Sequence, residues 1–260
     1  DKLALLHHGS GARHLEHLIR AYGSDSHAEP AFAQCRGPRD VAYRLTFGET
    51  PGSPERTDMA NSDCIVLIGS HIGENLHNGQ VQELSQALAN NVSLITVDPR
   101  FSVAASKSKY WLPIRPGTDI ALLLAWMNVL ITEELYDREY IEQYTVGFEH
   151  LAEHVRSYTP EWAYLQTGLK PALIRDTAWE MARHAPATVV HPGRHATWYG
   201  DDTQRGRAMA ILAALLGSWG HKGGFYIQEK VKLPKYPLPP YPEPASESHV
   251  VAHAGLYPLA

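Results

Sequence analysis

Short runs of β-branched and apolar residues, each ended by a turn, recur along this chain and restrict its fold more than any other feature. Residues 93–97 (SLITV) lead into the turn DPR, and residues 110–114 (YWLPI) lead into RPGTD. Similar runs occupy residues 3–7, 64–68 and 188–190. Strands that alternate with helices predict an α/β fold, in which these strands lie in a doubly wound, mostly parallel sheet with helices on both faces.

Helical periodicity fills most intervals between these runs. Residues 120–131 are apolar on nearly every face, which predicts a helix buried inside the fold. Residues 24–62 carry few periodic apolar positions and are expected to be mostly loop around one short helix. The amphipathic patterns predict helices around residues 15–22, 41–45, 81–88 and 203–216, and a mostly helical segment over residues 132–184.

The composition changes along the chain in a way that predicts three parts. Residues 1–62 are expected to form a first α/β portion, and residues 63–228 a main α/β domain of the Rossmann-like kind. Prolines recur between positions 234 and 244, so residues 229–260 are expected to form an extended, polyproline-like tail.

Length, charge and cysteine count exclude several classes of function. A chain of 260 residues that are 44% hydrophobic can bury a substantial core. The formal net charge of −5 offers no basic surface for nucleic acid or an anionic membrane. No apolar run reaches the roughly 18 residues that a membrane span needs, and the start of the chain does not read as a signal peptide. Two cysteines exclude a four-cysteine metal site within this chain.

The turns after residues 93–97 and 110–114 carry carboxylates that suit a purine nucleotide. Parallel sheets bind ligands at the carboxyl ends of their strands, where both turns are expected. Asp98 could accept hydrogen bonds from ribose hydroxyls, and Asp119 from the N1–H and amine of a guanine. Arg100 or Arg115 would then bind phosphate in a bidentate fork. The alternative is that Thr118 and Asp119 only cap the next helix.

Cys35 lies in the polar segment QCRGPRD, which is an unusual setting for a structural cysteine. Arg36 and Arg39 would lower the pKa of its thiol and favour the thiolate, the form that acts as a soft metal ligand or nucleophile. An ordinary loop thiol is the alternative. Cys64, within the apolar run CIVLI, is expected to be a core residue.

Two glycine-containing loops follow predicted strands. The loop GSHIGEN begins at Gly69, precedes a helix, and would let backbone N–H groups approach a phosphate. The loop HPGRH, with Gly193 and Arg194, suits an anionic cofactor or substrate. The segment HLAEH also matches a zinc-peptidase pattern, but His150 and His154 are expected to lie on a solvated helix face, so we do not assign a metal there.

Taken in order, these motifs resemble the molybdopterin oxidoreductases of the dimethyl-sulfoxide-reductase superfamily. The resemblance covers nearly the whole chain and is carried by the segments QCRGP, VLIGSHIGEN, VDPR, LPIRPGTDIALLLAWMNVLI, HPGRHATWYGDD and TQRGRAMAILAALLGSWGHKGGFY. Within the superfamily, Arg-Gly-Pro after the cysteine and HPGRHATWYGDD are most similar to catalytic subunits of polysulfide and thiosulfate reductases.

The resemblance implies a bis(molybdopterin guanine dinucleotide) cofactor that holds molybdenum or tungsten, and residues 63–228 as the domain that binds it. Cys35 would be the protein ligand to the metal. By the same resemblance, the residues at the pyrophosphate or pterin are Gly69, Ser70, His71 and Asn75, and those at one guanosine are Asp98, Arg100, Gly117 and Asp119.

The same resemblance places the loop around residue 193 near the pterin and the substrate cavity. Gly193 would lie at the cofactor, Arg194 would hold an anionic sulfur substrate, and His195 would transfer protons near neutral pH. The implied reaction is reduction of a sulfur compound such as polysulfide or thiosulfate in anaerobic respiration. The alternatives are formate or arsenic-oxyanion chemistry and a cofactor-free structural subunit that retains the fold. Arg36, where some formate dehydrogenases have histidine, argues against formate.

Family members of this kind are catalytic subunits, so the resemblance also implies partners. An iron–sulfur electron-transfer subunit and a membrane anchor subunit are expected, on the periplasmic side of a membrane, with no direct membrane insertion of this chain. The family's N-terminal 4Fe-4S domain and its C-terminal domain are not recognised here, so we expect the middle of a longer polypeptide. Whether this portion is active by itself is left open.

Overall fold

The computed structural model describes residues 3–7, 12–24, 26–28, 36–52, 55–70, 72, 78–193 and 200–225. The chain forms two compact units, Asp1–Cys35 with Lys230–Ala260, and Arg36–Glu229. In the described part of the first unit, strands β1 (Leu5–Leu6) and β2 (His27–Ala28) pair in parallel, and helix α1 (Ala12–Ala21) connects them in sequence. The tail predicted for residues 229–260 lies outside the described residues.

The second unit is built on a four-stranded sheet. Its strands are β3 (Cys64–Ile68), β4 (Ser93–Val97), β5 (Tyr110–Leu112) and β6 (Thr188–Val190). They lie in the order β5-β4-β3-β6, and every neighbouring pair is parallel. The predicted parallel α/β sheet is therefore confirmed.

Helices surround this sheet, and most of them lie in segments in which helical periodicity was predicted. The helices Val103–Lys107 and Met59–Asn61 were not predicted. The predicted helical segment over residues 132–184 consists of four helices, each with its own N-terminal boundary. The helices of the second unit are α2 (Gly37–Phe47), a 3-10 helix (Met59–Asn61), α3 (Asn78–Ala89), α4 (Val103–Lys107), α5 (Asp119–Thr132), α6 (Arg138–Tyr144), α7 (Phe148–Val155), α8 (Pro160–Thr167), α9 (Pro171–Arg183) and α10 (Asp202–Leu215).

Both faces of the sheet are buried, which explains why its strands are apolar without alternation. On β3, Cys64, Val66 and Ile68 pack with helices α5, α9 and α10, while Ile65 and Leu67 pack on the other face with α3 and α4. Helix α5 is buried along most of its length, as its composition predicts. Among the described helices, none has the length and apolarity that crossing a membrane requires.

Three local predictions differ from the structure. Strand β1 belongs to a separate two-stranded sheet, and its partner β2 lies in a segment that was expected to be loop. Strand β5 ends at Leu112, because Pro113 has no N–H to continue the ladder. Helix α2 is longer than predicted and begins at Gly37, since Pro38 is favourable in the first turn of a helix. The proposed domain boundary at residue 62 stays a prediction.

Candidate functional site

The loops expected to form the site leave the sheet at one edge. Beyond the strands, the backbone N–H of Gly69 donates to Val97 O (3.0 Å), and that of His191 donates to Val66 O (2.9 Å). Asp98 follows β4 directly at the same edge. The carboxyl ends of three neighbouring strands therefore present their first loop residues side by side.

The order of the strands creates a crevice at this edge. From β3 the chain continues to β4 and β5 on one side, and it later returns to place β6 on the other side of β3. Such a reversal of direction is the point at which open α/β sheets bind ligands. The loops that flank it here are those beginning at Gly69 and at His191.

Two glycines shape the walls of this crevice, and both have a positive φ, +57° for Gly69 and +63° for Gly193. A Cβ built at Gly193 would lie 3.5 Å from Ile68 O, so the turn after β6 lies against the end of β3. A Cβ built at Gly69 would meet no atom within 4 Å in the part of the chain that the structure describes. None of the described residues therefore covers the backbone at Gly69, and Ser70 next to it is buried.

Asp98 is held in place by its own loop. Its carboxylate oxygen Oδ1 accepts a hydrogen bond from the backbone N–H of Arg100 (2.8 Å), and its carbonyl oxygen accepts one from Trp111 Nε1 (2.8 Å). The ring of Phe101 packs edge-on against Trp111, with centroids 4.9 Å apart. Only 5% of Asp98 is exposed, whereas the side chain of Arg100 is 57% exposed. This loop therefore offers an ordered carboxylate beside a solvent-facing guanidinium.

Asp119 is the first residue of α5, and its Oδ2 lies 3.3 Å from Arg205 Nη1 on α10. Thr118 makes no side-chain cap, because its hydroxyl donates to Arg115 O (2.7 Å). The expected capping by Thr118 is therefore wrong, and Asp119 connects two helices at the start of α5. Gly117 lies in the turn before it, with φ +79°.

Arg115 has a structural role that the sequence did not indicate. Its Nη1 donates to Gln166 O (2.7 Å) and to Leu165 O (3.3 Å) at the C-terminal end of α8. A cation at this position compensates the negative end of a helix dipole. Of the two arginines considered for phosphate, Arg115 is therefore bound to these carbonyl groups, whereas Arg100 Nε lies 4.0 Å from Asp98 Oδ1.

Arg39 on α2 is fully buried and links α2 to the loop after β6. Its Nη1 donates to Gly193 O (2.9 Å) and pairs with Glu55, and its Nη2 donates to Asp40 Oδ1 (2.8 Å) and to Gly52 O (2.9 Å). Our sequence reasoning treated this arginine only as a source of charge. The sequence does contain one indication that Arg39 is buried. Ala42 and Tyr43, three and four positions later, are apolar and therefore place Arg39 on the inner face of a helix.

These ion pairs change the charge argument made for the cysteine loop. Arg39 is paired with Asp40 and Glu55, and Arg36 Nε lies 3.8 Å from Asp40 Oδ2. The two arginines are thus largely neutralised, so the expected lowering of the pKa of Cys35 has less support than the sequence alone indicated.

Several predicted site residues lie outside the described residues, namely Cys35, His71, Asn75, Arg194 and His195. Cys64 is fully buried in strand β3, and burial raises the pKa of its thiol. Its assignment to the core is confirmed. His150 and His154 on α7 are exposed, as their predicted solvated face requires.

The chain was then compared with known proteins. A family model described as "Molybdopterin oxidoreductase" matches residues 8–230. The thiosulfate reductase molybdopterin-containing subunit of Salmonella typhimurium is 35% identical over 225 residues, which is 86% of this chain and 29% of that protein. The F420-dependent formate dehydrogenase subunit alpha of Methanocaldococcus jannaschii is 32% identical over 68% of this chain and 26% of that protein.

Among solved structures, acetylene hydratase from Pelobacter acetylenicus superimposes with a TM-score of 0.67 at 32% sequence identity. The match covers 79% of this chain and 28% of that chain. The chain thus spans between a quarter and a third of the length of these relatives. Because the family model covers most of the chain, the resemblance drawn from the sequence motifs is confirmed. The chain belongs to the molybdopterin oxidoreductase family.

Proposed function

We propose that this chain is the central, cofactor-binding portion of a molybdenum or tungsten oxidoreductase that uses bis(molybdopterin guanine dinucleotide) and reduces a sulfur compound such as polysulfide or thiosulfate. The observation that carries the proposal is the meeting of Gly69, Asp98 and the His191–Gly193 turn at the point where the strand order reverses. Family membership implies the pterin cofactor, and this crevice is where an α/β sheet would receive it.

The donors at the crevice fit the nucleotide end of such a cofactor. The ordered carboxylate of Asp98 would accept from ribose hydroxyls, and the exposed guanidinium of Arg100 would meet a phosphate. Because no described residue covers Gly69, the pyrophosphate could approach the loop that begins there and meet its backbone N–H groups, except that of Gly69 itself, which donates to Val97 O. These groups match a sugar phosphate, because a carboxylate can bind the sugar hydroxyls while a guanidinium and backbone N–H groups bind the phosphate.

Asp119 is the candidate for the guanine, with Gly117 in the turn that precedes it. A carboxylate has about four acceptor sites, so the contact with Arg205 does not exhaust Asp119. Arg205 would orient the carboxylate while the base donates its N1–H and amine. The helix position also favours an acid, because Asp119 lies in the first turn of α5, where a carboxylate stabilises the helix dipole.

The metal and substrate side of the proposal rests on the resemblance. When bound, the cofactor supplies a metal centre that exchanges an oxygen or sulfur atom together with two electrons. Cys35 would be the metal ligand, Arg194 would bind an anionic sulfur group, and His195 would hold the proton that leaves with the product. Arg39 would position Arg194 and His195 indirectly, because it binds the carbonyl of Gly193, which precedes them in the sequence.

The choice of a sulfur substrate is supported by the thiosulfate reductase relative, which shares 35% identity over most of this chain. Formate is the second candidate, because a formate dehydrogenase subunit is 32% identical. Acetylene hydratase carries the name of a hydration enzyme, so the reaction class itself needs a direct test. As a catalytic subunit, the protein would work with an iron–sulfur electron-transfer partner.

The experiment compares Asp98→Asn with Asp176→Asn in the full-length protein. Asp176 is an exposed acid on α9, away from the crevice edge, and serves as the matched control. Asparagine at position 98 replaces one of the carboxylate oxygens that would accept from the ribose hydroxyls with an NH₂ group. The loss of this hydrogen bond should cost about 1–3 kcal/mol of binding free energy. We expect less guanosine monophosphate after acid hydrolysis, and less metal per chain, for Asp98→Asn only. Equal content in both variants would remove Asp98 from the site.

Substrate is tested on the same wild-type preparation. A reduced viologen should be oxidised on addition of polysulfide or thiosulfate, with sulfide released. Oxidation of formate with an acceptor dye in place of that reaction would support the second candidate. Hydration of acetylene without any electron transfer would contradict a redox function while leaving the cofactor site intact.

A further inference from the structure

Three side chains with metal-ligating atoms meet in the first unit. His7 directly follows β1, Glu16 lies on α1, and His27 begins β2. One nitrogen from each histidine and one carboxylate oxygen all lie within 4.8 Å of one another. The parallel pairing of β1 and β2 sets this geometry, because the backbone N–H of His7 donates to Ala28 O (3.1 Å) beside His27.

The two imidazoles are already in contact. His7 Nε2 lies 3.0 Å from His27 Nδ1, and the rings are stacked with centroids 5.2 Å apart. Two ligand nitrogens bound to a tetrahedral zinc ion at about 2.0–2.1 Å are about 3.3 Å apart. The pair therefore needs only a small side-chain movement to share a cation.

The unsatisfied nitrogen of His7 argues for a ligand. His7 is buried, and its Nδ1 has no hydrogen-bond partner among the residues that the structure describes. A buried polar atom in this state costs about 1–3 kcal/mol. A cation bound by Nδ1 of His7 would supply the missing interaction, whereas a cation bound by Nε2 would replace the hydrogen bond between the two rings.

The small size of the unit gives a second, independent reason. Each strand of its sheet has two residues, and helix α1 buries only Ala12 and Ile19 among its described residues. A two-stranded sheet is marginal by itself, and small units with a thin core often rely on a structural metal. A metal bound by His7, Glu16 and His27 would link β1, α1 and β2 to one another through a single ion.

We propose that His7, Glu16 and His27 bind one divalent transition-metal cation of the Zn²⁺ class, with water completing the coordination. Two imidazoles and one carboxylate are an established donor set for Zn²⁺ and for Fe²⁺. The site stabilises the segment that precedes Cys35, which lies eight residues after His27 in sequence. This metal site does not depend on the proposed reaction.

The test is a zinc titration of the chelator-treated full-length protein by isothermal calorimetry. The site variant is His7→Gln with His27→Gln, and the matched control is His150→Gln with His154→Gln, a pair of exposed histidines four residues apart on α7. We expect one equivalent of Zn²⁺ bound by wild type and control and lost in the site variant. Equal stoichiometry in all three proteins, or none in wild type, would overturn the proposal.

Glu16→Gln keeps the result interpretable if the double variant fails to fold. Glu16 is half-buried on α1, so its amide should leave circular dichroism unchanged. Loss of a metal-bound carboxylate should weaken Zn²⁺ binding at least as much as loss of an outer-shell partner, which costs about 10–100-fold. Co²⁺ added to wild type should give visible absorption bands that shift in Glu16→Gln. Unchanged zinc affinity and an unchanged Co²⁺ spectrum would mean that the histidines form only a hydrogen-bonded pair.

Discussion

Arg39 Nη1 donates a hydrogen bond to Gly193 O over 2.9 Å, between residues 154 positions apart in the sequence. The same guanidinium is paired with Asp40 and Glu55 and is completely buried. The Arg39 guanidinium therefore joins the start of α2 to the turn after β6. It holds this turn through a hydrogen bond from a charged group that is completely buried.

Arg39→Met should destabilise the protein by about 3–5 kcal/mol, because removing one partner leaves buried carboxylates without compensation. Urea denaturation of the full-length protein measures this difference. Arg36→Met is the control, since Arg36 is partly exposed and its ion pair is long. A loss of stability no larger for Arg39→Met than for Arg36→Met would mean that the buried pairs contribute nothing.

Asp119→Asn should lower the guanosine content of the purified protein, because an amide NH₂ would oppose the donors of the base at a cost of about 1–3 kcal/mol. Arg205→Gln keeps the carboxylate and a donor next to it, so its guanosine content should fall less. Equal losses in the two variants would indicate that only the Asp119–Arg205 contact matters.

The two cysteines should respond in opposite ways to serine. Cys35→Ser should leave the fold intact but change the Mo(V) electron paramagnetic resonance signal and abolish or sharply reduce turnover, since an alkoxide is a harder donor than a thiolate. Cys64→Ser should cost about 1–3 kcal/mol of stability, because it places a hydroxyl in the apolar core, with little effect on the metal. A native Mo(V) spectrum and full rate in Cys35→Ser would place the metal ligand elsewhere.

Gly206→Ala should push α10 away from α2. A Cβ at this position would lie 2.8 Å from Ala42 Cβ and 3.5 Å from Arg39 Cα. Overpacking of this kind costs about 1–3 kcal/mol, visible as a lower melting temperature. Gly79 is exposed in the first turn of α3, and a Cβ built there would meet no atom of the described residues within 4 Å, so Gly79→Ala should be neutral or slightly stabilising. Similar melting temperatures for the two variants would contradict the close packing of the helices.

Glu180 should make the free energy of unfolding depend on pH in the acid range. Burial is the largest single influence and raises the pKa of this carboxyl, but its hydrogen bonds, led by the one from Lys109 (2.7 Å), and the charges of Lys109 and His184 together lower the pKa below its ordinary 4.5. Its contribution to stability is therefore complete above pH 4.5 and is lost as the pH falls through the lowered pKa. Glu180→Gln should flatten this part of the stability curve, whereas Glu153→Gln, at an exposed ion pair, should not.

The sheet and most helices could be predicted because their signals are local. The apolar run of β3 and the all-apolar helix α5 each specify a buried element within a few residues. Strand β1 was assigned to the wrong sheet because its partner, His27–Ala28, has no strand pattern of its own.

The roles of several arginines could not be predicted, because the groups they bind are distant in sequence. Arg115 binds carbonyl groups about fifty residues away, and Arg205 faces an acid 86 positions before it. The motif around Arg39 indicated only charge, because the contact of Arg39 with Gly193 O joins residues 154 positions apart and forms only when the turn after β6 is in place.

The late position of β6 in the chain has a consequence for assembly. During synthesis β3, β4 and β5 emerge first, and β6 can reach β3 only after the helices α5 to α9 have been made. One wall of the crevice is thus the last part of the sheet to form, through a contact of high sequence separation. A nascent chain that has not yet reached β6 lacks this wall of the proposed site, so we expect the cofactor to be inserted only after this strand has been made, and the amount of bound cofactor would then report on completed folding.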